Sequence, residues 1–109
     1  MNMATSYVDM SDKSTKEFGT VTAGKTMQIT ISNSTRMLLV LIGSETEKGM
    51  WIVNSTTGGT VTTKAIATAG SVSISTDYKK VILSNSGAYN PLLYGILFAG
   101  EIENVTVST

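Results

Sequence analysis

Residues 19–32 read GTVTAGKTMQITIS, and two incompatible interpretations meet in them. The first eight residues satisfy the phosphate-loop pattern G-x-x-x-x-G-K-[ST], with Gly19, Gly24, Lys25 and Thr26 in the required places. In such a loop the Lys-Thr pair opens a helix, whose free N-terminal amides and dipole hold the phosphates. Here Thr26 runs straight into an alternation, with Met27, Ile29 and Ile31 on one side and Thr26, Gln28 and Thr30 on the other. Period two with β-branched residues is a half-buried strand. The lead-in KEFGTVT (16–22) is not the buried parallel strand that the motif requires either. The stretch therefore reads as a hairpin turn at Ala23-Gly24 with Lys25 solvated at its edge. No nucleotide site is expected.

The same alternation recurs in SVSIST (71–76), through Val72 and Ile74, and more loosely in GTVTTKAIATAG (59–70). Between such runs lie TAGK, SNSTR, GSETEKG, NSTTGG, TAGS, STDYK and SNSGAYNP. Each supplies Gly for positive φ, or Asn, Asp and Ser for local side-chain turns. About eight to ten short strands at this spacing predict an all-β chain, an antiparallel β-sandwich or barrel. No composition break divides it. A single domain over residues 1–109 is expected, with 1–15 a loosely attached N-terminal strand or arm.

Four stretches break the alternation: MLLVLIG (37–43), MWIV (50–53), VIL (81–83) and PLLYGILFAG (91–100). A sandwich strand has one face in the core, so a strand apolar on both faces needs a cover on the outer one. A closed barrel or overlying loops would serve. So would a second subunit, and the extent of the apolar surface favours a homo-oligomer, because monomers seldom leave more than about 300–600 Å² of apolar patch bare. Leu39, Leu41, Trp51, Leu93 and Tyr94 are the expected interface residues.

Composition removes whole classes of chemistry. The 109 residues contain no Cys and no His, so disulfides, thiolate catalysis, imidazole bases and most zinc and haem sites are absent. Eight basic and eight acidic residues give zero net charge with no like-charged run, unlike a nucleic-acid binder. MNMATSYVDM lacks a signal-peptide pattern, and no apolar run is long enough to span a bilayer, so no membrane insertion is expected. Sequons at Asn33, Asn54 and Asn104 are chance matches in a Ser- and Thr-rich chain.

Carboxylates are the remaining catalytic candidates: Asp9, Asp12 and Glu17 near the N-terminus, Glu45 and Glu47 in one loop, Glu101 and Glu103 on one strand face. A glycosidase needs two of them converging across a cleft. These pairs carry no other cleft signature, and the chain reads as a non-enzyme. DMSD and SETEKG lack the dense D-x-D-x-D-G spacing of a calcium loop, so no metal or cofactor is expected.

The segments GTVTAGKTMQITISNSTRMLLVLIG (19–43), GMWIV (49–53) and KKVILSNSGAYNPLLYGILF (79–98) resemble small domains of phage and prophage tail-fibre or receptor-binding proteins. In those an AG turn introduces an alternating strand, and an I-x-N segment followed by Tyr leads to the last core strand. This chain carries Gly24 at the turn, Ile82 and Asn85 near the end of the penultimate strand, with two residues between them where the pattern has one, and Tyr89 before the final strand. The resemblance implies a jelly-roll-like head domain, homotrimeric about a three-fold axis, that binds bacterial surface polysaccharide or protein on a virion or prophage-encoded particle. A bacterial carbohydrate-binding or adhesion module at the cell surface is the alternative, and a small hydrolase a third.

In a jelly roll the strands are committed to core and interface, which leaves recognition to turns. SETEKG, NSTTGG, STDYKK and NSGAYN are expected to meet at one end, presenting Glu45, Lys48, Asn54, Asp77, Tyr78, Asn85 and Tyr89 to a ligand.

Overall fold

The computed structural model describes residues 15–43 and 48–108, all as strands and turns. The strands are β1 (Thr15–Thr20), β2 (Thr26–Ile31), β3 (Arg36–Ile42), β4 (Lys48–Ser55) and β5 (Val61–Ala69). They continue with β6 (Val72–Asp77), β7 (Lys80–Asn85), β8 (Leu92–Ala99) and β9 (Ile102–Ser108). Two antiparallel sheets form a sandwich, one ordered β1-β8-β3-β4-β5 and the other β6-β7-β2-β9. Among the described residues the two sheets keep separate edges and do not close into a barrel. β1 pairs with β8 and β2 with β7, the nested pairing of a rolled-up jelly roll. The middle of the chain departs from it, since β3, β4 and β5 run as a simple meander.

The expected strand at 26–31 is β2, and its alternation is realised residue by residue. Met27, Ile29 and Ile31 are fully buried, while Thr26, Gln28 and Thr30 face outward. Gly24, at φ +75°, is the third residue of a β-turn closed by the Lys25 amide donating to the Thr22 carbonyl at 3.0 Å. Lys25 is exposed beside it. The turn is not a hairpin, however, because β1 and β2 lie in different sheets. It carries the chain from one layer to the other, and a strand follows Lys25 where a phosphate loop would need a helix.

The core lies between the layers. It is built from Met27, Ile29 and Ile31 of β2, Met37, Leu39 and Leu41 of β3, and Trp51 and Val53 of β4. Val81 and Leu83 of β7 and Leu93 of β8 complete its centre. Gly49 makes room for Trp51, since a Cβ there would fall 2.5 Å from the indole Cη2.

Leu39, Leu41, Trp51 and Leu93, expected at a subunit interface, are thus core residues, none more than 2% exposed. The physical reason is parity: where both faces of a strand are apolar, sequence does not say which set of alternate residues points inward. Only Tyr94 of that group points outward, half-buried.

The outer faces of the two layers differ sharply. On the four-stranded sheet, cross-strand rows read Ser75–Ile82–Gln28–Thr106 and Ser73–Ser84–Thr26–Ser108, almost wholly polar. On the five-stranded sheet they read Ile96–Leu38–Ile52–Lys64 and Tyr94–Val40–Met50–Ala67. Ile42, Ile66, Leu92 and Phe98 extend that apolar face. Three of the four two-sided apolar stretches are therefore neighbours in one sheet.

Candidate ligand-binding site

Of the residues expected to bind, the structure gathers some and separates others. Asn54, Asp77 and Tyr78 lie at one end of the sandwich, which is formed by the β2–β3, β4–β5, β6–β7 and β8–β9 turns. Lys48, Asn85 and Tyr89 lie at the opposite end with the β1–β2 and β7–β8 turns. Glu45, with Glu47, Asp9 and Asp12, falls outside the described residues. Of the polar turns described, NSTTGG and STDYKK lie at one end and NSGAYN at the other. Consecutive strands run antiparallel, so turns after even-numbered and odd-numbered strands alternate between the two ends.

At the first end a hydrogen-bond network fixes the backbone. The buried Ser55 hydroxyl donates to the Ser32 carbonyl at 2.8 Å and accepts from the Thr35 amide at 2.7 Å. The Thr35 hydroxyl donates to the same carbonyl at 2.9 Å, and the Glu101 amide donates to Ser32 Oγ at 2.9 Å. Three turns are thereby tied together. In the β4–β5 turn, Thr56 Oγ1 accepts from the amides of Gly58 and Thr60 at 3.2 and 3.1 Å.

Tyr78 stands on this base. Asp77 Oδ1 accepts the Tyr78 amide at 2.7 Å, and Lys79 takes a left-handed conformation at φ 55°. The Lys79 amide then donates to the Gly59 carbonyl at 2.9 Å, and the Ile31 amide donates to the Lys79 carbonyl at 2.9 Å. Gly59 itself has φ +90°, and a Cβ on it would lie 2.5 Å from Tyr78 Cε1. The tyrosine ring therefore lies against bare backbone, with 64% of the residue left open to solvent. Thr60, Val61, Thr76, Asp77 and Tyr78 line a shallow depression of about 280 Å³ beside it. The site combines an aromatic ring, two hydroxyls and a carboxylate whose second oxygen is free of the turn.

Asn54 is exposed nearby but projects from the outer sheet face and does not line the depression. Thr60, Thr76 and Gly59 were not singled out in the sequence. Gly59 had a signal, the doublet Gly58-Gly59, but a doublet gives no hint of the ring that needs the space.

At the opposite end Asn85 is a strut, not a ligand group. It is 2% exposed, and its Nδ2 donates to the carbonyls of Val21 at 2.9 Å and Tyr89 at 2.8 Å. Its Oδ1 accepts the Gly87 amide at 2.9 Å. Buried and holding two turns together, it is closed to a ligand, which corrects its expected binding role. Tyr89 is 59% exposed there.

The described residues contain no group of three or more acidic side chains able to hold a metal ion. Glu103 forms an ion pair with Lys79 at 3.3 Å.

No protein-family model and no curated protein matches the sequence. Among solved structures the fold is similar to part of a tailspike protein, gp49 of the Acinetobacter baumannii bacteriophage Fri1, a capsular polysaccharide depolymerase. The TM-score is 0.56 at 10% identity, over 86% of this chain. The match takes up 18% of the tailspike chain, so the likeness is one of β-sandwich architecture with a portion of a much larger protein.

Proposed function

We propose that this chain is a virion-associated attachment domain of a phage or prophage particle, acting as a homotrimer that holds bacterial surface polysaccharide at its Tyr78 end. The observation that carries the reading is the fixed, solvent-facing Tyr78 ring on Gly59, next to a depression that Thr60, Thr76 and Asp77 help to line. A pyranose ring has one or two faces of C–H groups that pack on an aromatic ring, and a rim of hydroxyls that pair with carboxylate and hydroxyl side chains. Tyr78 offers the first kind of contact. Asp77, Thr60 and Thr76 offer the second. Because the turn is hydrogen-bonded on both sides, little ordering entropy is lost on binding.

The fold likeness to a phage tailspike supports placing the domain on a virion, and the depolymerase activity of that protein makes capsular polysaccharide the first ligand to try. The role is binding rather than cleavage. The depression beside Tyr78 is lined by one carboxylate, Asp77, where hydrolysis of a glycosidic bond needs two across a cleft. Zero net charge makes attachment weakly salt-dependent.

The test is an array of immobilised bacterial capsular polysaccharides and lipopolysaccharide O-chains. Saturable binding to one of them, without release of new reducing ends, is the expected result. Binding to none of them, or cleavage of the one bound, contradicts the proposal.

A further inference from the structure

The outer face of the five-stranded sheet is the largest feature that polysaccharide attachment leaves unexplained. Its centre is formed by Leu38, Val40, Met50 and Ile52; the ladder extends to Ile96, and Phe98 stands beside it at the β8 bulge. Phe98 is 70% exposed and Ile52 45%. Between Phe98 and Ile66 runs an open groove of about 450 Å³, floored by Leu38 and Ile52. Five strands at about 4.8 Å spacing and about 3.3 Å per residue give roughly 500 Å² of projected sheet. That matches the scale of one partner's share in a standard interface, about 800 Å² of accessible surface.

Among the described residues, charges lie around the rim of this face. Glu17 projects on the same side as Tyr94 from β1, the strand at one edge. Lys64 projects on the same side as Ile52 from β5, the strand at the other edge. Arg36 and Lys48 mark the two ends of the central strands. An apolar centre inside a charged rim is the make-up of a protein–protein interface. Among the described residues neither Glu17 nor Lys64 forms an ion pair, the one such pair being Lys79–Glu103.

We propose that this face packs against further copies of the same chain around an axis running along the strands, with Glu17 of each copy opposite Lys64 of the next. The geometry follows from symmetry. Any closed cyclic arrangement about such an axis, the three-fold included, brings the β1 border of one copy to the β5 border of its neighbour. Those borders carry opposite charge, so the face is complementary to itself. A foreign partner would have no reason to match both borders. The inference rests on the oligomer of the reading above but not on its ligand.

Light scattering and sedimentation on the full chain at micromolar concentration test it in the absence of any polysaccharide, so the outcome is separate from that of the array. The wild type should assemble. Ile52→Lys should give a folded monomer with an unchanged circular-dichroism spectrum, because residue 52 is already half open in one copy. Glu17→Lys and Lys64→Glu should each raise the concentration for half-assembly about ten-fold, as several weak rim pairs turn repulsive together. The combined Glu17→Lys/Lys64→Glu variant should return to within about three-fold of the wild type. A monodisperse wild-type monomer would overturn the proposal. Assembly that survives Ile52→Lys overturns it too, as does a double variant no better assembled than the single ones.

Discussion

The ring of Tyr78 rests on the backbone of Gly59, close enough that a single methyl group on Gly59 would collide with it. The contact joins the β6–β7 turn to the β4–β5 turn and sets which way the ring faces. Gly59→Ala should therefore do two things at once. It places a side chain at φ +90° and pushes the ring off its seat. A loss of about 1–3 kcal/mol in urea unfolding is expected, together with weaker polysaccharide binding. Full binding with full stability would show that the ring is not positioned by this contact.

Asn85 is the strut of the other end, and Asn85→Ala removes three side-chain hydrogen bonds from a buried position. The partners left behind include the Val21 carbonyl, the acceptor of the buried bond. A destabilisation of about 2–4 kcal/mol is expected, since each buried polar group left unpaired costs about 1–3 kcal/mol. Ligand binding by the folded fraction should be unchanged. A cost under about 0.5 kcal/mol, the level of an ordinary surface change, would contradict the structural role.

Leu39 distinguishes core from interface. Leu39→Ala should cost about 2–5 kcal/mol of stability, as large-to-small changes in a packed core do. The folded fraction should assemble as the wild type does. Unaltered thermal unfolding combined with dissociated subunits would put Leu39 on the surface after all.

Titration calorimetry with millimolar ATP or GTP should register no saturable heat, and Lys25→Ala should change nothing. The strand that begins at Thr26 offers phosphates no helix terminus. Saturable binding abolished by Lys25→Ala would reinstate the phosphate-loop reading of residues 19–26.

The layered β architecture was legible because alternation has one structural meaning: Met27, Ile29 and Ile31 had to share a face, and they do. The apolar outer face was legible too, in the runs around Leu38–Ile42 and Leu92–Phe98. Which residues form it was not. Period two leaves the choice of parity open in a run apolar on both sides, and so the inward Leu39 and Leu93 stood in for the outward Leu38 and Ile96. Sheet order was equally hidden, because pairing of β1 with β8 is a long-range event with no local signature. At the site, Tyr78 stood out as an aromatic in a polar turn. Its separation from Tyr89 depended on counting strands correctly, and Asn85 looked like a turn residue because burial cannot be read from a Ser-Asn-Ser-Gly stretch.

Attachment of two tyrosine variants to the same polysaccharide tests the central claim most directly. Tyr78→Ala and Tyr89→Ala each remove one exposed ring, at 64% and 59% exposure, from opposite ends of the sandwich. Neither should alter assembly or shift the melting temperature by more than a few degrees. The account expects Tyr78→Ala to weaken attachment about ten-fold or more, a loss of about 1.4 kcal/mol per site, amplified where several copies engage one surface. Tyr89→Ala should attach like the wild type. The reverse pattern, with Tyr89→Ala defective and Tyr78→Ala intact, would place the binding surface at the other end of the molecule and contradict the account.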